Sequence, residues 1–214
     1  MCSSDLFLHA IRTDTGVELW SFIPQELLPN LRLLYSNSPQ SQKQYTLDGS
    51  VKVLKYDVNG DGVVDASAGD RVFIYFTQGR GGSMVYALDV TDKTNPKYMW
   101  ALGPSQLPGI GQSWSSPQLA RVSVGGGTQT SKQKLVLIFG GGYDSAEETE
   151  PYASADSVGN AVYMVDAVSG ALLWRAGGTG SGADLVLSRM DHAIASDIAV
   201  LDSNGDGYAD RLYV

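Results

Sequence analysis

Short apolar runs separated by glycine-rich polar turns recur along the whole chain. Runs rich in Val, Ile, Leu, Phe and Tyr are typical of β-strands, and four of them predict strands at residues 51–56, 71–77, 134–139 and 197–201. Helical periodicity is best developed at residues 25–34, where Pro24 is placed to begin a helix. The pattern therefore predicts an all-β fold with many turns.

Three segments share one pattern: a short apolar strand, a polar turn that contains Asp, and a second strand that ends in Trp. They span residues 9–20, 86–100 and 163–174, and their tryptophans recur at intervals of 80 and 74 residues. These intervals match two blades of a propeller, since one blade takes about 40 to 50 residues. We therefore predict a quinoprotein-like β-propeller, with the tryptophans packed as wedges between blades. A β-sandwich is the alternative that glycine-rich turns also suit.

Composition narrows the classes of partner. The net charge is −8 and no basic run occurs, so nucleic acid is a poor partner. The first residues lack the features of a signal peptide, and no apolar run is long enough to span a membrane. Cys2 is the only cysteine, which excludes an internal disulfide framework. Strand-like sequence at both ends leads us to expect part of a longer protein, with residues 1–214 lying in a single propeller domain.

The strongest chemical signal is the pattern D-x-N-x-D-G-x-x-D, which occurs at residues 57–65 and again 145 residues later at 202–210. Calcium takes six to eight oxygen ligands, and oxygens at positions 1, 3 and 5 of a curved loop converge on one ion. Position 7 offers its peptide carbonyl, and position 9 closes the loop directly or through water. The candidate ligands are Asp57, Asn59, Asp61, Val63 and Asp65 in the first loop, and Asp202, Asn204, Asp206, Tyr208 and Asp210 in the second.

These loops differ from a helical EF-hand. Position 12, usually a bidentate Glu, is Ala68 in the first loop and Tyr213 in the second, and strand-like runs precede both. We therefore expect EF-hand-like loops carried on β-hairpins, each binding one Ca²⁺. Magnesium is less apt because it demands stricter octahedral geometry. A solvated Asn-Gly turn would explain one such loop, but not the same spacing of oxygens twice.

The sequence gives little support for other kinds of functional site. His9 and His192 lie far apart in the sequence, and no G-x-S-x-G motif supplies a nucleophile for His192, so we expect no catalytic site. The glycine-rich residues 178–183 predict a turn rather than a phosphate loop. The acidic stretch at residues 143–160 predicts a solvated loop, with a partner contact or a weak further cation site as the alternative.

Several runs resemble the C-terminal propeller of the PilC/PilY family of type IV pilus proteins. They lie at residues 79–92, 113–117, 139–144, 159–170 and 196–214 and follow the family's order. The resemblance implies a place at the pilus tip, the cell surface or the outer membrane, and partners among pilus components, the assembly or retraction machinery, and host or abiotic surfaces. It also implies roles in adhesion and twitching motility, and one calcium loop that regulates pilus extension and retraction.

Two other classes of propeller remain open. Quinone-dependent dehydrogenases carry similar Trp hairpins, but they need a calcium pocket at the propeller axis, whereas these loops are local and contiguous. FG-GAP propellers carry similar aspartate cages, but in nearly every blade. An Arg-Gly-Asp tripeptide, present in some members of the PilC/PilY family, is absent, because residues 69–71 read Gly-Asp-Arg. Adhesion through that tripeptide is therefore not expected of this chain.

Overall fold

A computed structural model describes residues 6–36, 44–124, 133–151 and 155–214, so Cys2 lies outside the described residues. The strands are β1 (Leu8–Ile11), β2 (Glu18–Phe22), β3 (Val51–Tyr56), β4 (Arg71–Thr77), β5 (Val85–Asp89), β6 (Lys97–Leu102), β7 (Gln118–Ser123), β8 (Gln133–Gly140), β9 (Ala161–Asp166), β10 (Leu172–Gly177), β11 (Leu185–Val186), β12 (Ala199–Leu201) and β13 (Arg211–Tyr213).

The helical segments are short. A 3₁₀ helix at Gln25–Asn30 runs into helix α1 (Leu31–Ser36), directly after Pro24, and confirms helical structure near residues 25–34. Further 3₁₀ turns lie at Ala66–Ala68, Gly79–Gly81 and Ser145–Glu148. The fold is all-β, as the sequence predicts.

The strands form four sheets that follow the chain. Strands β1 and β2 pair as a hairpin, β3 to β6 form a four-stranded antiparallel meander, and β12 and β13 pair as a second hairpin. The five-stranded sheet has the order β11-β10-β9-β8-β7, antiparallel except for the short β10–β11 pair. Across the described part of the chain these sheets do not close into a ring. The all-β prediction is confirmed, and the closed propeller is not observed.

Both large sheets bury both faces, which explains why their central strands are apolar throughout. In β4, Phe73 and Tyr75 point towards the five-stranded sheet, while Ile74 and Phe76 point towards the β1–β2 hairpin. This division follows from the alternation of side chains along a strand. In β8, Leu137 likewise joins the core shared by the two large sheets, and its neighbours in sequence pack towards the β12–β13 hairpin. Three layers of core therefore separate four successive sheets.

Two of the three repeated tryptophans, Trp20 and Trp100, make the same contact between successive sheets. The indole N–H of Trp20 on β2 donates to the carbonyl of Lys93, in the β5–β6 turn of the next sheet, at 3.0 Å. Trp100 on β6 donates to the carbonyl of Val168, in the β9–β10 turn of the sheet after that, at 3.1 Å. Trp100 is also buried in the core between the two large sheets. The wedge role predicted for these tryptophans is confirmed at Trp100.

Candidate functional site

The two aspartate loops lie at the tips of β-hairpins. Residues 57–70 connect β3 to β4, where Tyr56 pairs with Arg71, and residues 202–210 connect β12 to β13, where Leu201 pairs with Arg211. Antiparallel pairing on both sides fixes where each loop begins and ends. The predicted position of the loops on hairpins is therefore observed.

The first aspartate of each loop organises the turn by accepting hydrogen bonds from backbone amides. Asp57 accepts from the amides of Gly60 and Gly62 at 2.8 and 2.9 Å. Asp202 accepts from Gly205 and Gly207, both at 2.7 Å. These four glycines have positive φ angles, between 72° and 87°, a conformation that glycine adopts without steric cost. The glycine at position 6 therefore serves the turn, as the motif predicts.

The third and fifth positions are joined in the same way in both loops. Asn59 donates through Nδ2 to Asp61 at 2.9 Å, and Asp61 accepts from the amide of Val63 at 2.7 Å. The matching bonds in the second loop join Asn204 to Asp206 at 3.2 Å and Asp206 to the amide of Tyr208 at 2.9 Å. In both loops position 1 thus bonds the backbone amides of positions 4 and 6, while positions 3 and 5 bond each other.

The ninth position is hydrogen-bonded to a serine in each loop. Asp65 caps the 3₁₀ turn at Ala66–Ala68 by accepting from the amide and hydroxyl of Ser67, at 2.8 and 2.7 Å. Asp210 accepts from the hydroxyl of Ser203 at 2.7 Å and from its amide at 3.2 Å. The structure joins positions 3 and 5 to each other and position 1 to the loop amides, and it gives position 9 a serine as its hydrogen-bonding partner.

A residue that sequence reasoning missed anchors the first loop. Asp70 is fully buried, and its two carboxylate oxygens accept from the amides of Val58 and Asp65, both at 2.8 Å. Asp70 accepts a hydrogen bond from the amide of Val58, at position 2 of the first loop. Asp210 likewise accepts one from the amide of Ser203, at position 2 of the second loop. In the first loop this bond to position 2 therefore comes from Asp70, five residues after Asp65, because the 3₁₀ turn at Ala66–Ala68 lies between the two aspartates. The reversed Gly-Asp-Arg tripeptide contained this residue, but the motif gave no sign of its role.

Hydrogen bonding also sets the ionisation of the loops. The amide of Gly62 holds the pKa of Asp57 below its usual value against the opposing effect of burial, and Gly60 and Lys55 act in the same direction. The amide of Gly207 lowers the pKa of Asp202 in the same way. The first aspartate of each loop is therefore ionised at neutral pH, as a metal ligand must be.

The donor set fits a hard cation. Each loop offers carboxylate, amide and peptide oxygens, the ligands that Ca²⁺ prefers. In the first loop the ammonium of Lys55 already lies 3.6 Å from Asp57 Oδ2 and 2.5 Å from the carbonyl oxygen of Gly62. A cation thus occupies the edge of these oxygens. Within the described ranges, no three His, Cys, Asp or Glu side chains form a group that would hold a metal ion.

The other candidate residues are placed as follows. His9 faces Glu18 across the β1–β2 hairpin at 3.3 Å, and His192 lies 3.8 Å from Asp156. Residues 178–183 form a turn in which the amide of Ser181 bonds to the carbonyl of Gly178, as predicted. No helix in the described part of the chain is both long and apolar enough to cross a membrane.

The fold and these loops define a class of protein: all-β, with layered sheets and paired aspartate loops on hairpins. No family model matches the chain. It is 28% identical over 211 residues to a type IV pilus biogenesis factor PilY1 homologue of Xylella fastidiosa, covering 99% of this chain and 14% of the relative. It is 29% identical over 212 residues to the type IV pilus biogenesis factor PilY1 of Pseudomonas aeruginosa, covering 99% of this chain and 15% of the relative.

A solved structure agrees with these relatives. The C-terminal domain of Pseudomonas aeruginosa PilY1 superposes with a TM-score of 0.62 at 26% identity, covering 99% of this chain and 34% of that chain. The curated homologues of this chain are therefore PilY1 type IV pilus biogenesis factors. The resemblance to the PilC/PilY family is confirmed, and the chain spans about one seventh of the length of these relatives.

Proposed function

We propose that this chain is a calcium-binding module of a type IV pilus biogenesis factor and that it acts by binding rather than by catalysis. The single observation that carries the metal is the repetition of one hydrogen-bonded loop on two separate hairpins, with the same bonds from the loop amides to position 1 and between positions 3 and 5. The pilus role rests on homology to PilY1 over 99% of the chain.

The residues that would hold the ion are those at positions 1, 3, 5 and 7 of each loop. Asp57, Asn59 and Asp61 would bind it in the first loop, with the carbonyl of Val63. Asp202, Asn204 and Asp206 would do so in the second, with the carbonyl of Tyr208. Asp65 and Asp210 would contribute through water or after leaving their serine partners. Bound calcium would offset the repulsion between the clustered carboxylates and order the hairpin tip.

We also propose that the layered sheets are successive blades of a propeller that extends beyond this chain. The contacts of Trp20 and Trp100 support this arrangement, because each joins the last strand of one sheet to a turn of the next. Radial repetition of sheets is the arrangement in which such a contact recurs. A hairpin at the rim of this arrangement would present its loop to partners in the pilus, in the retraction machinery or on a surface.

Calcium binding is tested by thermal unfolding of the chain with and without calcium. At free calcium about 100-fold above Kd, each occupied loop raises Tm by about 5–10 °C. Asp61→Ala and Asp206→Ala each remove part of the rise, and magnesium at equal concentration controls for ionic strength. Equal calcium responses in the wild type and in both variants would contradict the metal proposal.

The pilus role is tested in the bacterium that encodes the chain. Deleting the encoding gene should reduce surface piliation and twitching motility, and a plasmid copy should restore both. A copy carrying Asp61→Ala and Asp206→Ala together should change the ratio of surface piliation to twitching motility relative to the wild-type copy. Normal piliation and twitching motility in the deletion strain would count against this role.

A further inference from the structure

The two loops differ in one charged residue beside the ligands. Lys55 lies on β3, two residues before the first aspartate, and Val200 occupies the corresponding position before the second loop. The Lys55 ammonium donates to the carbonyl oxygen of Gly62 at 2.5 Å and lies 3.6 Å from Asp57 Oδ2. Valine has no charge to place there. The first loop thus holds a cation of its own chain against its oxygens.

Strand geometry explains why this lysine reaches the loop. Side chains two residues apart on a strand point to the same side of the sheet, so Lys55 and Asp57 share a side at the end of β3. The Lys55 side chain is 42% exposed, while that of Asp57 is 16% exposed. The ammonium therefore belongs to the more exposed partner of this pair and can move into solvent without unpacking the loop.

We infer that Lys55 competes with calcium for the first loop and that the second loop is the tighter site. The inference rests on the proposed function, because it concerns the same two loops. A divalent ion bound at Asp57 would be repelled by an ammonium a few ångströms away, so the lysine must move into solvent before the ion binds. The second loop has no such requirement at Val200. Calcium would therefore fill the loops in sequence, the second before the first.

Calorimetric titration with calcium tests the order and the cause. In an Asp206→Asn background, which leaves only the first loop, Lys55→Met should tighten binding by about three- to tenfold. In an Asp61→Asn background, which leaves only the second loop, Lys55→Met should change nothing and Val200→Lys should weaken binding by a similar factor. Unchanged affinity of the first loop in Lys55→Met would overturn the inference while leaving the calcium proposal intact.

Chemical labelling tests the displacement of the lysine directly. The rate at which acetic anhydride modifies Lys55, followed by mass spectrometry, should rise when calcium is added. Lys134 is a matched control, since it is 44% exposed and pairs with Asp166 at 3.5 Å rather than with a loop carboxylate. Its rate should not change. A Lys55 rate that is the same with and without saturating calcium would overturn the inference, and absence of calcium binding by either loop would overturn the proposed function with it.

Discussion

At the scale of single residues, the first loop depends on a buried aspartate that is not part of the ligand motif. Asp70 satisfies two backbone amides, those of Val58 and Asp65, that have no other acceptor assigned to them. The Asp70 side chain is itself fully buried, and a buried polar group is tolerated where hydrogen bonds satisfy it. Asp70 therefore fixes both ends of the loop, while the ligand positions shape its middle.

Replacing Asp70 should unfold this anchor. We expect Asp70→Ala to lower the free energy of unfolding by about 2–4 kcal/mol, because two amides lose their acceptor and a fully buried side chain is removed. Urea denaturation with calcium chelated measures this effect apart from any metal. The exposed counterpart Asp210, changed to alanine under the same conditions, should cost under about 1 kcal/mol. Equal losses in the two variants would contradict the anchoring role of Asp70.

At the scale of elements, two acidic side chains, Glu147 and Asp156, join the 3₁₀ turn at Ser145–Glu148 to the connection that leads into β9. The Asp156 side chain is only 5% exposed, and its Oδ2 accepts from the amide of Ala193. Its Oδ1 and the Oε1 of Glu147 are both buried and receive no hydrogen bond from any other group, so a proton shared between the two carboxyl groups is what would join them. Asp144, beside them, is fully engaged with the amides of Ala146 and of residues 157 and 158.

This pair makes stability depend on pH. The hydrogen bond to Asp156 raises the pKa of Glu147 above its usual value, burial and the charges of Asp156 and Asp144 add to the rise, and His192 opposes it. A carboxyl group with a raised pKa in the folded state stabilises the fold below its unfolded pKa, and this contribution is lost as pH rises through the folded value. The contact between the two elements therefore weakens towards neutral pH.

Glutamine at position 147 should remove this loss of stability at neutral pH. We expect Glu147→Gln to raise Tm relative to the wild type at about pH 7 and to leave it unchanged at about pH 4, since the amide donates to Asp156 at any pH. Differential scanning calorimetry at both pH values measures the change. Glu148→Gln removes an adjacent charge that pairs with Arg80 at 2.8 Å, and it should not raise Tm. A rise of equal size at both pH values would contradict the shared proton.

At the scale of the whole molecule, one core joins the two large sheets. Phe73 and Tyr75 from one sheet meet Leu137 and Phe139 from the other, and the Tyr75 hydroxyl donates across the interface to the carbonyl of Ala167 at 3.0 Å. Apolar area buried between two sheets stabilises both together. Strands from different sheets should therefore resist unfolding as one unit.

A cavity in this core should loosen both sheets. We expect Leu137→Ala to cost about 2–5 kcal/mol and to speed amide hydrogen exchange in β4 and β5 as well as in β8 and β9. Val136, its neighbour on β8, faces the other core towards β12 and β13. When the two variants are compared at an equal loss of stability, Val136→Ala should therefore speed amide exchange in β4 and β5 less than Leu137→Ala does. Faster exchange confined to the five-stranded sheet in Leu137→Ala would contradict a shared unit.

The sequence by itself determined the local structure of this protein. Strands β3 and β4 begin and end where the apolar runs do, because alternation along a strand is a property of the chain. The glycines and aspartates of the two loops specify their turns, since the bonds from Asp57 and Asp202 reach amides only three and five residues away. The family resemblance was also contained in these local runs.

Only the tertiary structure decided which side chains meet across distance or compete for one partner. The motif assigns Asp65 to the ion, but in the structure Asp65 accepts a hydrogen bond from Ser67, in the 3₁₀ turn that follows it. The anchor Asp70, the lysine beside Asp57 and the buried pair at Glu147 and Asp156 depend on how β3, β4 and the long connections pack. Residue spacing describes a loop alone, whereas burial and charge at a site are set by every element that surrounds it.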